Sequence, residues 1–574
     1  MKHAHSVWGV LGGALRARPG AFAIASAAGL VVGAAGWSIA FAVQAVLDRS
    51  AEVGFVMLVC AATALVLLVR AAVSVLRRLV QLKLAQGIES DLATRFMAHV
   101  LRMEVQDVER FSIGDLVRRM RGLETIRHAI EDRLLGVPFD CVVVCAAVGV
   151  MASRSVSLAG VALAGALVPA VPVYILRGTI QRSFEAHQAS EGQFGTRLLD
   201  ALEGGRDLRV AGGTSWMVDR IESTYTEWQT KRLRHFGKLA VIQSITAWTS
   251  AAATILLLCL GAALATDGRL SSGQLMFLFT MAGVILGPLE QFAISWLFFQ
   301  DASTAIRAAA EVEALPAEPR EAAPSEGGIV GEIRLEHVTF GYDPSRPVLR
   351  DVSIAVPASS SLAIVGQTGA GKSTLMALVA GLHEPAAGRV LIDGRPVRTW
   401  PAELRAREIG VVLQGAHLFE GTVSENIGLG IADITDVSVR EAARMACAAE
   451  FIERLPRGYD TVLSRDGAQL SAGQAQRIGL ARALARQPRV LLLDEATSNL
   501  DAETEAAVWG ALRSTGSRTT LFVTHRLATS AAADRVVVLC DGVVVEEGPF
   551  DELLDRREAF YALWKRQVAA PMAR

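Results

Sequence analysis

Apolar positions follow two different rhythms along this chain. Up to about residue 300 they run in long blocks almost free of charge, and beyond about residue 330 short apolar runs alternate with helical periods. Six blocks, 21–46, 53–77, 137–153, 156–176, 239–265 and 273–298, are long enough to cross the hydrocarbon core of a bilayer. The spacing therefore predicts an all-α membrane half of six helices. The second half reads as an α/β domain, because strands and helices alternate in it.

The connections between these blocks are of two kinds. Those joining spans one to two, three to four and five to six are very short and hold the lone arginines Arg49, Arg154 and Arg269. The other two are long and strongly basic, with Arg118, Arg119 and Arg121 in the first and Lys231, Arg232 and Arg234 in the second. The positive-inside bias places both long connections, both termini and the second half in the cytoplasm. These connections keep a helical period, as in "IESDLATRFMAHVLRM", where Ile88, Leu92, Phe96 and Val100 recur every fourth residue. They are expected to carry the membrane helices into the cytoplasm and to reverse at "ERFSIGDL" (109–116) and "LRVAGGTSW" (208–216), close to the second half.

Ionisable residues inside spans are costly and mark function or snorkel to the interface. Arg70 and Glu290 are such residues, and Gln44, Gln243, Gln291, Ser295, Trp37, Trp248 and Trp296 are further candidates to line a shared cavity. Pro288 is expected to break the backbone ladder of span six locally. A Pro/Glu/Ala-rich stretch at 315–331 reads as a linker, which sets the expected domains at 1–314 and 332–574.

Composition narrows the picture further. With 574 residues the chain is too long for one core, and a net charge of −1 implies no bulk attraction to nucleic acid. The six cysteines form no CxxC or Cys/His cluster, so no cysteine metal site is expected. Cys141 and Cys145, one helical turn apart, read as small packing residues. The N-terminal apolar run is followed by a second span instead of a cleavage site, so a removable signal is not expected.

The chemistry lies in the second half. "SLAIVGQTGAGKSTLMALVAGL" is a strand, a glycine-rich turn and a helix, the full context of a phosphate-binding P-loop. Gly366, Gln367, Thr368, Gly369, Ala370, Gly371, Lys372, Ser373 and Thr374 form the cradle. The glycines let backbone amides close on phosphate, Lys372 reaches the β/γ oxygens, and the Ser373 hydroxyl suits Mg²⁺. The apolar strand of "RVLLLDEATSNLD" delivers Asp494, a second Mg²⁺ partner, and Glu495, which would polarise an attacking water. "TTLFVTH" delivers His525 to the same edge. ATP and Mg²⁺ are the expected cofactors.

A second phosphate-seeking element follows at "LSAGQ" (470–474). Ser471 and Gln474 make a capping box, while Ala472 and Gly473 leave first-turn amides open to an anion. The chain's own P-loop already wraps the phosphates, so this helix start would best serve an ATP held by a second copy. Two facing copies would then make two composite sites, with Lys372 from one and Ser471/Gly473 from the other.

Together these stretches resemble the ATP-binding cassette (ABC) superfamily, in its exporter form of six spans fused ahead of one ATPase domain. "GQTGAGKST" resembles its Walker A motif, "VLLLDE" its Walker B, and "LSAGQ" its signature. The resemblance implies an α/β P-loop ATPase domain with an inserted helical subdomain and further roles by position. Tyr342 would stack on adenine, Gln414 would sit near Mg²⁺ and the membrane domain, and the Ser498–Asp501 loop would cross the dimer, with Asp501 at the nucleotide interface. His525 would be the switch histidine, and 109–116 and 208–216 the coupling regions. Two departures stand out. Ala472 replaces the usual signature glycine, and Ser464–Gly467 reads Ser-Arg-Asp-Gly where Gly-Glu-Arg-Gly is common.

The implied activity is ATP-driven export across the inner membrane by alternating access in a homodimer, since Glu495 and His525 are both present. "FSIGDLVRRMRGLETIRHAI" and "ILGPLEQF" look somewhat like exporters of antimicrobial peptides, so a small modified peptide is the leading substrate. A lipid flippase or a drug exporter of amphipathic molecules is the alternative. An ATP-gated channel or regulator is a third, disfavoured because no catalytic position is replaced.

Overall fold

The computed structural model describes residues 9, 12–13, 16–129, 137–168, 170–317, 328–343, 345–431, 433–464, 469–514 and 518–569. The side chains of residues 128, 129, 137, 138, 170, 173, 289–298, 300 and 301 also lie outside that description. Most of the expected linker, the Arg465–Gly467 departure, and the Glu290, Gln291, Ser295 and Trp296 side chains therefore fall beyond the described residues. The chain divides into two compact units, Met1–Met103 with Asp107–Ala317, and Glu104–Gln106 with Glu318–Arg574.

The first unit is helical. Its main elements are α1 (Pro19–Gly36), α2 (Ser38–Asp48), α3 (Val53–Val100), α4 (Ile113–Ala129), α5 (Val137–Arg154), α6 (Val156–Leu167), α7 (Ala170–Glu203), α8 (Thr214–Thr266) and α9 (Ser272–Glu313). By length and composition Pro19–Asp48, Val53–Val100 and Thr214–Thr266 suit membrane crossing, and Val156–Leu167 and Ser272–Pro288 are shorter apolar helices. The apolar face of α3 turns outward: Met57, Leu58, Leu65 and Leu68 are exposed. In water that would be an unpaid hydrophobic surface; against lipid it costs nothing.

Long helices do run past the spans. In α3 the residues spaced by fours, Ile88 and Phe96, are buried among Leu123, Ile126, Ile306 and Val312 of α4 and α9, with Leu92 and Val100 packed beside them. The chain reverses between α3 and α4 and again between α7 and α8, at the two stretches singled out in the sequence. Small residues let the membrane helices approach. A methyl group added at Gly165 of α6 would collide with the Ala253 side chain of α8.

Helix α9 continues through Pro288, where the ladder lacks one amide donor and the helix does not end. One local expectation differs. Cys141 and Cys145 are exposed on α5 and do not pack into the interior of this single chain.

The second unit holds two larger sheets. Strands β1 (Ile333–Phe340), β2 (Leu349–Val356), β3 (Ser361–Gly366), β4 (Ala387–Ile392), β5 (Arg395–Pro396), β6 (Ile409–Val412), β7 (Val490–Asp494), β8 (Thr519–Val523), β9 (Arg535–Cys540) and β10 (Val543–Gly548) build them. One has the order β2-β1-β4-β5 and the other β10-β9-β3-β8-β7-β6. In the six-stranded sheet β9, β3, β8, β7 and β6 are parallel and β10 is an antiparallel edge.

Side chains of these parallel strands alternate between two cores. Leu362, Ile364, Leu492 and Val523 enter one, and Ala363, Val365, Leu491 and Phe522 enter the other. Burial on both faces explains why "VLLLD" is continuously apolar instead of alternating. Among the helices of this unit are α10 (Lys372–Val379), α11 (Asp436–Met445), α12 (Ala472–Leu484), α13 (Ala502–Ser514) and α14 (Ala559–Ala569).

Candidate functional site: a nucleotide site at the sheet's carboxyl edge

The carboxyl ends of four neighbouring parallel strands supply the site, at the edge where open α/β sheets bind ligands. β3 leads into the P-loop, β6 into Gln414, β7 into Asp494 and Glu495, and β8 into His525. The P-loop backbone requires its glycines at two points. A Cβ on Gly366 would collide with the carbonyl oxygen of Leu539, and one on Gly371 would lie 2.7 Å from Leu349 Cδ2. Gly371 has φ +98° and opens α10, so the amides of that helix start face the phosphate position.

Lys372 is 5% exposed and donates to the Gly366 and Gln367 carbonyl oxygens at 3.0 and 2.9 Å. Burial pushes its ammonium below the ordinary lysine value, against the pull of Glu495 and Asp494. The loop's own carbonyls thus hold a cation that a phosphate would satisfy better. Ala370 donates its amide to Gln367, and Thr374 Oγ1 lies 3.4 Å from the Tyr342 hydroxyl. The Tyr342 ring is 61% exposed, propped edge-on by Phe340 and His383 at 5.3 and 5.4 Å. Its open position and fixed orientation suit stacking on a flat base.

Asp494 is 3% exposed. Burial pushes its carboxyl above the ordinary value and the Glu495 charge adds to that, while the Ser373 hydroxyl, Lys372 and His525 pull the other way. One of its oxygens, Oδ1, is buried with no hydrogen-bond partner. An uncompensated carboxylate oxygen beside a serine hydroxyl fits an oxygen-seeking divalent cation such as Mg²⁺.

Glu495 follows with φ +51°, a left-handed conformation that bulky residues adopt only when the surroundings enforce it. Its carboxylate is held on both sides: His525 Nε2 lies 2.5 Å from Oε1, and Gln414 Nε2 donates to Oε2 at 3.0 Å. The structure thus places the Gln414 amide on Glu495. The Glu495 backbone is bonded to Gln476, a buried residue of α12 that sequence reading missed. Its amide donates to the Glu495 carbonyl at 2.6 Å and accepts from the Asn499 amide at 3.3 Å. The only trace of it in the sequence is a second glutamine two residues after Gln474.

The "LSAGQ" stretch starts α12 as a complete capping box. Ser471 Oγ accepts from the Gln474 amide at 3.2 Å, and Gln474 Oε1 accepts from the Ser471 amide at 2.9 Å. Those bonds leave the Ala472 and Gly473 amides uncommitted. Gly473 lies against Asn499, where an added Cβ would stand 2.8 Å from the carbonyl oxygen. Among the described residues no hydrogen bond joins this helix start to the P-loop. Asp501 caps α13, accepting from the Thr504 amide at 2.8 Å and hydroxyl at 2.9 Å, and these bonds hold its carboxyl below the ordinary value.

Two family profiles match the chain, one described as ABC transporter over residues 349–498 and one as ABC transporter transmembrane region over residues 22–289. The leukotoxin export ATP-binding protein LtxB of Aggregatibacter actinomycetemcomitans is 32% identical over 513 residues, covering 87% of this chain and 71% of that one. The chain belongs to the ABC transporter family. A second relative of this transporter is the ATP-dependent lipid A-core flippase of Nitrosococcus oceani, 29% identical over 490 residues, 84% of this chain and 82% of that one. A solved structure of a bacterial Atm1-family ABC exporter with ATP bound superposes with a TM-score of 0.89 at 26% identity, covering 96% and 99% of the two chains. The transporter is thus an ATP-binding, ATPase-coupled exporter with a helical multi-pass membrane region ahead of an α/β ATPase domain.

Proposed function

We propose that this transporter works as a homodimer that exports a small, modified peptide, with two composite ATP sites. The carrying observation is the Glu495 carboxylate, held between Gln414 and His525 at the mouth of the P-loop. Glu495 polarises the attacking water, His525 fixes the carboxylate and faces the γ-phosphate, and Gln414 reports the state of the site. Lys372 exchanges its loop carbonyls for β/γ oxygens, with the amides of residues 366–374 closing around the phosphates, and Tyr342 stacks on the base. Ser373, Asp494 and Gln414 would hold Mg²⁺, which would supply positive charge against the phosphates. The uncommitted amides of Ala472 and Gly473, with Ser471, Gln474 and Asp501, serve the nucleotide of the second copy.

In this reading residues 1–314 form the translocation unit in the inner membrane, 315–331 the linker and 332–574 the cytoplasmic ATPase. The basic long connections support that orientation. The peptide assignment draws on the resemblance of 111–130 and 285–292 to peptide exporters, and on a relative named for leukotoxin export. A lipid-linked amphiphile is the second reading, favoured by the flippase relative, 82% of whose length this chain matches.

ATP-dependent uptake into sealed inside-out vesicles, against a panel of peptides, lipids and dyes, tests this. Peptide accumulation with peptide-stimulated ATPase supports the first reading and lipid movement alone the second. Ion conductance without substrate-stimulated hydrolysis would replace both with a channel.

A further inference from the structure

The loop that presents His525 is gripped from behind by α14, the last helix among the described residues. Helix α14 is docked by its first turns. Phe560 is fully buried, its amide donates to Glu546 Oε2 at 2.5 Å, and Phe550 meets both Phe560 and Trp564 at ring separations of 5.5 Å. Phe560, Leu563 and Trp564 lie at i, i+3 and i+4, one stripe facing the domain core. The next position on that stripe, i+7, is polar: Gln567.

Its side chain makes a two-point clamp on the backbone. Nε2 donates to the His525 carbonyl oxygen at 2.8 Å, and Oε1 accepts from the Leu527 amide at 2.9 Å. An amide that takes the carbonyl of one residue and the N–H of the second residue on acts as a strand neighbour does. It fixes the plane of the peptide immediately after His525. The other side of the loop is tied separately, because Arg526 donates to Glu505 Oε2 at 2.6 Å and its amide to Thr524 Oγ1 at 3.1 Å. Rotating the peptide after His525 would swing the imidazole away from Glu495, which it now approaches to 2.5 Å. A groove of about 290 Å³ bounded by Gly366, His525 and Arg566 brings the same helix to the first glycine of the P-loop.

We propose that Gln567 is a positioning residue for hydrolysis: it holds the backbone that aims His525 at Glu495, and makes the C-terminal helix part of the catalytic apparatus. The proposal rests on the hydrolytic role of His525 given above. The plain alternative is a staple that only docks α14, and the two differ in what they change.

The test compares the full-length transporter in lipid nanodiscs with Gln567→Met, Gln567→Glu, His525→Ala and the double variant Gln567→Met/His525→Ala. Steady-state ATPase kcat and KM and the melting temperature are measured for each. Gln567→Met keeps the length and loses both bonds, so kcat should fall roughly five- to tenfold, with KM and melting temperature unchanged. Gln567→Glu keeps the acceptor but sets an oxygen against the His525 carbonyl, and should fall at least as far. On the His525→Ala background Gln567→Met should add no further loss. An unchanged kcat, an equal loss on both backgrounds, or a Met variant that melts early or fails to fold would each overturn the clamp. If His525→Ala itself hydrolyses ATP at the parent rate, it is the hydrolytic role of His525 that falls, and the clamp with it.

Discussion

His525 Nε2 lies 2.5 Å from Glu495 Oε1 across the gap between two parallel strands. The two residues are joined by neither sequence nor secondary structure; they meet because β8 is the sheet neighbour of β7, with Val523 opposite Asp494. Each is the first or second residue beyond its strand, so the register of that one strand pair sets their separation.

Replacing Glu495 with Gln should therefore lower ATP turnover by at least about a hundredfold, the usual scale for losing a positioned base. Nucleotide binding should persist, because Lys372 and the P-loop are untouched. Phosphate release and ATP retention, measured together on the reconstituted transporter, check this. Hydrolysis within about twofold of the parent would remove the assigned role.

Asp494 makes a prediction about stability. Its folded carboxyl titrates above the ordinary value, chiefly through burial. The folded state thus holds that proton more tightly than the unfolded chain. This stabilising contribution is fully present below the ordinary carboxylate value and is lost as pH rises through the folded value. At pH above that folded value the nucleotide-free protein carries an ionised, half-satisfied buried carboxylate. Asp494→Asn should raise its melting temperature by about 2–4 °C at pH 7, on the scale of ~1 kcal/mol for a domain this size. The gain should vanish toward acid pH, and added MgATP should no longer protect the variant. A lower melting temperature at pH 7 would contradict the argument.

Tyr342 is exposed, and its ring is fixed edge-on by Phe340 and His383. Tyr342→Ala should weaken ATP binding about tenfold, since stacking on a base is worth about 1–3 kcal/mol. Turnover at saturating ATP should stay within about twofold. Equilibrium binding of a fluorescent ATP analogue beside a full Michaelis curve separates the two effects. A fall in kcat at unchanged affinity would exclude stacking.

Gly366 allows no side chain, because its Cβ would collide with the Leu539 carbonyl oxygen on the neighbouring strand β9. Gly366→Ala should cost roughly 2–3 kcal/mol by forcing the P-loop away from that strand. Thermal melting of the intact transporter and loss of ATP binding check this. An alanine variant with parental stability would show that the strand can yield there.

Much of this site was legible because its chemistry is contiguous. The cradle of 366–374 is one loop between one strand and one helix, and each glycine answers to a local backbone need. The Ser471–Gln474 capping box is likewise local, spanning a single turn, and the structure forms both of its bonds. The reversals at 109–116 and 208–216 were readable because helical period stops and small residues begin. Pro288 removes one donor from the ladder of α9 without ending the helix.

Gln476 and Gln567 were not legible, for a common reason. Gln476 is buried and Gln567 exposed, but the partner of each is a backbone atom on a distant loop. Nothing in local propensity distinguishes such a glutamine from a solvated one.

The sequence by itself marked the long apolar blocks, the half that meets lipid and the glycine-rich loop between a strand and a helix, since these follow from periodicity, hydropathy and backbone freedom within a few residues. The tertiary structure alone decided that β3, β8, β7 and β6 stand side by side in an order unlike their order in the chain. Strand adjacency is set by how two cores close on both faces of one sheet. It is that packing, and no local signal, that links Gln414 to Glu495, Glu495 to His525, and the His525 backbone to Gln567.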